Sequence, residues 1–193
     1  LAKAQELQEQ GVKLYDQRDY EASARIFQQA MEAYEAENQP EMVAEMQTNI
    51  GLVHRALGEN QQALEVMQAA LRTLQEHDDQ LRIAKLMGNM GGVYKELGDK
   101  EQAYNCYRQA ADAFQDLGEK KMYGETLIAM ATMQVRDGKI WQGAATYEVG
   151  LENLDSLNVS QKVLKGLIGV RNRLTGGGEH NPMGENGSAK KEQ

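Results

Sequence analysis

From Ala4 onward, apolar and small residues return at spacings of three and four, the pattern of helices with one face turned inward. Leu7, Gly11, Leu14 and Tyr15 mark one such face, and Tyr20, Ala24, Phe27, Ala30 and Met31 mark the next, with Arg18-Asp19 as the turn between them. The arrangement recurs after 40 residues: Asn49-Ile50-Gly51 matches Asn89-Met90-Gly91, Leu57-Gly58-Glu59 matches Leu97-Gly98-Asp99, and Gln62-Ala63 matches Gln102-Ala103. A period of this length means stacked supersecondary units, each unable to bury its apolar face alone.

Turn chemistry divides the chain accordingly. Pro40 opens a helix, where its missing amide hydrogen is not needed, and Gly58, Gly98, Gly118 and Gly138 supply left-handed turn residues that end helices. The reading gives helix pairs over about 4–37, 41–76, 80–117 and 121–154, then a ninth helix over 160–174, all in one domain over 1–174. Asn60 and Ser160 are the predicted N-caps of the fourth and ninth helices. Arg171 falls where earlier units carry a small residue, so the last helix is expected to close the core toward water. Residues 175–193 are rich in glycine and poor in apolar side chains, and are expected to form a flexible tail.

Composition excludes several classes of function. The net charge is −8, the pI is near 5.0, and Lys and Arg are scattered, so nucleic acid is not an expected partner. Cys106 is the single cysteine, which precludes an intramolecular disulfide and suits the cytoplasm or another reducing compartment. The most apolar stretch, Leu127 to Val135, is too short to cross a bilayer, and no signal peptide is visible; the chain starts at Leu1, which leaves an upstream targeting or anchor segment open. His54, His77 and His180 stand apart, and no spacing of His, Cys or carboxylates suits a metal, a cofactor or a catalytic set, so no enzyme is expected. Met42, Met46, Met87, Met90, Met130 and Met133 read as core at helical spacing. Trp141 reads as a residue packed on the last helix or an anchor for a partner.

The register of small and aromatic residues resembles the tetratricopeptide repeat. Small residues stand at Gly11, Gly51, Gly91 and Ala131, at Ser23, Ala63, Ala103 and Gly143, and at Ala30, Ala70, Ala110 and Gly150; large ones stand at Phe27, Met67, Tyr107 and Tyr147, where only Met67 is not aromatic. The 40-residue period is similar to the longer repeats of kinesin light chain and the G-protein regulators. The resemblance implies an all-α, right-handed superhelical solenoid of four helix-turn-helix repeats with a C-terminal capping helix. It also implies a concave groove lined by the first helix of each repeat, here Glu45, Thr48, Asn49, Leu52, Arg55, Lys85, Asn89, Gly92, Lys95 and Arg136, with Gln5, Gln8, Glu9 and Val12 in the first repeat.

Within that groove Asn49 and Asn89 are equivalent, and an amide offers a donor and an acceptor to a peptide backbone; the alternative is that they tie one repeat to the next. Gly88 and Gly92 leave the floor bare beside Asn89, for a bulky partner side chain or for looser packing. Arg55, Lys85, Lys95 and Arg136 make either a basic strip for an acidic peptide or internal pairs with Glu45, Glu96 and Glu125. The expected function is a non-catalytic scaffold that binds a peptide or helix of another protein in the groove. The alternative is a self-associating platform or an assembly factor for a larger complex.

Overall fold

The computed structural model describes residues 2–175. It is all-α among these residues: α1 (Ala2–Asp16), α2 (Tyr20–Ala36), α3 (Pro40–Ala56), α4 (Asn60–Glu76), α5 (Gln80–Leu97), α6 (Lys100–Asp116), α7 (Lys120–Arg136), α8 (Ile140–Glu152) and α9 (Val159–Thr175). The chain forms two compact units, one from Leu1 to Gly118 and one from Glu119 on. The tail expected over 175–193 lies outside the described residues except for Thr175, which ends α9.

In the first unit α1 packs on α2, α3 on α4 and α5 on α6, while α2 also meets α3 and α4 meets α5. The turns explain the sharp reversals. Gly58, Gly98 and Gly118 have φ of 81°, 82° and 74°, and where the sequence lacks glycine the same left-handed position is taken by Arg18, Asn38 and Asp78 at 63°, 55° and 53°. Pro40 sits in the first turn of α3 as the sequence predicts. Asp19, Asp79 and Asp99 cap α2, α5 and α6 by accepting the backbone N–H of Ala22, Arg82 and Gln102.

Two expected caps are corrected. Asn60 is the first residue of α4 and Glu59 holds the cap position without a side-chain bond; the Asn60 Oδ1 is buried and unpartnered. At α9 the cap is Asn158, not Ser160: Asn158 Oδ1 accepts the Gln161 N–H while Gln161 Oε1 accepts the Asn158 N–H, both at 2.9 Å.

The small residues let helices approach closely. A Cβ on Gly11 would lie 2.6 Å from the Phe27 ring, one on Gly51 2.7 Å from Met67 and one on Gly91 3.0 Å from Tyr107, so each large side chain fills the space its glycine leaves. The core of the unit falls into two clusters, with Phe27, Tyr34, Met46 and Val53 in one and Met67, Leu74, Leu86, Met90, Val93 and Cys106 in the other.

In the second unit α7 packs on α8, and a Cβ on Gly124 would come within 2.6 Å of the Gly150 carbonyl oxygen. Only glycine permits that backbone approach. An end helix that closes the core toward water is the expectation for α9, which meets α8 and buries Ile168 while Val159, Val163 and Leu167 remain exposed. The Arg171 side chain, on which that expectation rested, lies outside the described side chains.

Candidate functional site

In the first unit, α1, α3 and α5 are the leading helices of their pairs, and side chains bind them together at two levels. Nearer their starts, the Tyr34 hydroxyl donates to Gln8 Oε1 at 2.8 Å, and Gln8 Nε2 donates to Glu45 Oε1 at 2.9 Å. Arg82 Nε donates to the second oxygen of Glu45 at 2.7 Å, and its Nη1 pairs with Asp79 Oδ2 at 2.5 Å. Nearer their ends, Arg55 donates Nε and Nη2 to Glu96 Oε1 at 2.8 and 2.6 Å. Burial disfavours the Arg82 charge, yet its bonds to Glu45 and Asp79 outweigh that cost and raise its pKa above the ordinary value. Burial likewise opposes the Asp79 charge, but the backbone N–H, guanidinium and charge of Arg82, with Lys85, hold its carboxyl below the ordinary value of 3.8.

Asn49 and Asn89 lie between these two ties. Asn49 follows Glu45 by one helical turn and Asn89 stands midway from Arg82 to Glu96, roughly 10 Å from each. Both side chains are half-buried, and among the described residues neither makes a side-chain hydrogen bond. The internal tie considered for these amides is made instead by Gln8, Glu45 and Arg82. Two amides with unused donors and acceptors therefore stand on a face whose helices are already fixed by other groups.

The other predicted residues divide. Glu45 and Arg55 are engaged internally, and Thr48 Oγ1 donates to the Ala44 carbonyl of its own helix. Leu52 packs against the buried cluster of α4 and α5. Gly92 is buried, and the space its Cβ would take holds the Arg55 guanidinium, 2.6 Å away, so the floor there is filled. Gly88 is open by contrast, with only the Ala110 Cβ at 3.9 Å. Lys85 is exposed and Lys95 half-buried, and neither is salt-bridged among the described residues. Arg136 ends α7, exposed, in the second unit.

A cleft of about 570 Å³ opens beside the first tie, lined by Gln5, Gln8, Glu9, Val12, Tyr34 and Met42 among others, with Val12 44% exposed. Sequence reasoning placed Gln5, Gln8, Glu9 and Val12 on this face but missed Arg82, Tyr34 and Met42. Arg82 lies a full turn before the expected contact positions, and no helical period signals that its guanidinium reaches Glu45, 37 residues back. Among the described residues no group of His, Cys, Asp or Glu is placed to hold a metal ion, and no helix is long and apolar enough to cross a membrane.

Residues 42–116 match the family model described as Tetratricopeptide repeat. Among solved structures, the chain is similar to BtubC (BKLC) from P. vanneervenii, with a TM-score of 0.68 and 14% identity over 95% of this chain and 84% of that one. At that identity the likeness carries the fold alone. No curated protein matches the chain in sequence.

Proposed function

We propose, from the match of residues 42–116 to the tetratricopeptide repeat, a kind of repeat that mediates interactions between proteins, that the chain is a non-catalytic scaffold binding a peptide or helix of a partner protein on the face formed by α1, α3 and α5. The observation that carries this reading is the pair Asn49 and Asn89, half-buried and without a side-chain bond among the described residues, held between two polar ties that fix their helices. Each amide is suited to take one backbone N–H and one carbonyl of an extended or helical segment, which binds without reading side chains. Lys85 and Lys95, on either side of Asn89 and without a salt bridge among the described residues, favour acidic residues in that segment. A reducing compartment such as the cytoplasm fits Cys106, whose thiol is pushed up to about 11 by burial, with the Asp99 charge adding to it.

The test is Asn49→Ala with Asn89→Ala, applied to a partner isolated by pull-down with the wild-type chain. Losing a bond at each site is expected to cost about 1–2 kcal/mol, about 2–4 kcal/mol for the pair, so affinity should fall by roughly 30-fold to 1000-fold while circular dichroism stays unchanged. Unchanged affinity with an intact fold would remove the assignment. Binding should also weaken as salt rises, and Lys85→Ala should flatten that slope.

A further inference from the structure

We propose that the open face of α9 docks an amphipathic helix of a partner protein whose flanks are acidic. This surface is separate from the α1, α3 and α5 face and does not rest on the reading given for it.

Val159, Val163 and Leu167 recur at intervals of one turn and are 78%, 59% and 62% exposed, with Leu164 beside them at 38%. They form a continuous apolar stripe, centred about 140° around the helix from Ile168, the side chain α9 buries. Exposed apolar residues scattered singly need no explanation, but a stripe of this register does. The fold indicates the shape of what covers it. Each of α1, α3, α5 and α7 is covered by the helix that follows it, whereas α9, next in that order, has no following helix among the described residues. Residues 176–193 contain no leucine, isoleucine, valine, phenylalanine, tyrosine or tryptophan.

Charge indicates the chemistry of the occupant. Residues 159–175 include Lys162, Lys165, Arg171 and Arg173 and no acidic residue, while the rest of the chain holds 17 Lys and Arg against 29 Asp and Glu. Lys162 flanks the stripe directly. A helix with an apolar stripe and glutamates or aspartates beside it would bury Val163 and Leu167 and pair with Lys162. A second copy of α9 presents the same positive charge and is repelled. An anionic bilayer is repelled by the acidic remainder, and the stripe lacks the aromatic side chains that favour the membrane interface.

The experiment uses the full chain and two fluorescent helical peptides with the same leucine stripe, one flanked by glutamates and one by lysines. Fluorescence anisotropy should show the glutamate peptide binding about tenfold tighter, an advantage that falls in high salt. Val163→Glu with Leu167→Glu should abolish binding of both peptides without loss of helicity. Lys162→Glu should remove the preference. Equal binding of the two peptides, or a preference unmoved by the charge reversal, overturns the proposal. It is also overturned if sedimentation shows a dimer that Leu167→Glu dissolves, or if phosphatidylserine vesicles displace the peptide from the stripe.

Discussion

A methyl group added at Gly11 or at Gly88 should have opposite effects, although both glycines lie inside helices. At Gly11 the new Cβ would meet the Phe27 ring at 2.6 Å, and that ring is only 2% exposed with nowhere to move. Gly11→Ala is therefore expected to destabilise the first unit by about 1–3 kcal/mol. At Gly88 the nearest atom is the Ala110 Cβ at 3.9 Å, an ordinary contact. Gly88→Ala should stabilise by about 0.5–1 kcal/mol, because it restores helix propensity without a clash. Urea denaturation of the two variants separates these signs. The crossing glycines were legible in the sequence because close packing imposes the same residue size at the same register in every unit. The fate of Gly92 was not, since the Arg55 guanidinium that covers it comes from another helix and its path depends on rotamers, not on spacing.

Among the helices, periodicity placed each element and turn residues placed most of the boundaries. The left-handed position was plain where it is Gly58, Gly98, Gly118 or Gly138, but Arg18, Asn38 and Asp78 fill it with side chains and carry no such signal. Caps were read less well: a one-residue shift at Asn60 and a two-residue shift at Asn158 are within what competing polar residues allow. Asp79 caps α5 and also holds Arg82, which joins α5 to α3 through Glu45. Because the Asp79 pKa is lowered in the folded protein, its contribution to stability is fully present above the ordinary carboxylate value and is lost as pH falls through the folded one. Asp79→Asn retains a cap acceptor and removes the titration. The stability difference between wild type and this variant should shrink from about pH 5 to about pH 2 in thermal melts, and a difference constant over that range would contradict the role given to the pair.

Across the molecule, charge divides unevenly, and this bears on both surfaces. Residues 1–118 contain 20 Asp and Glu against 11 Lys and Arg, yet the face of α1, α3 and α5 carries Lys85 and Lys95 without a salt bridge among the described residues, and the charged residues of α9 in the other unit are all basic. Four matched registers made the repeat architecture readable from residues, and the resemblance they carry implied the face on which Asn49 and Asn89 stand. What they left open was the division of labour on that face: Glu45, Arg82, Arg55 and Glu96 hold helices together, while the two amides make no side-chain bond among the described residues. The most direct test of this division is nuclear magnetic resonance of the side-chain amides of the ¹⁵N-labelled chain, with and without a saturating isolated partner. The account predicts that the Asn49 and Asn89 NH₂ resonances shift on binding, while amide signals on the outward faces of α2, α4 and α6 stay in place. Unmoved Asn49 and Asn89 resonances, with the changes confined to those outer helices, would contradict it.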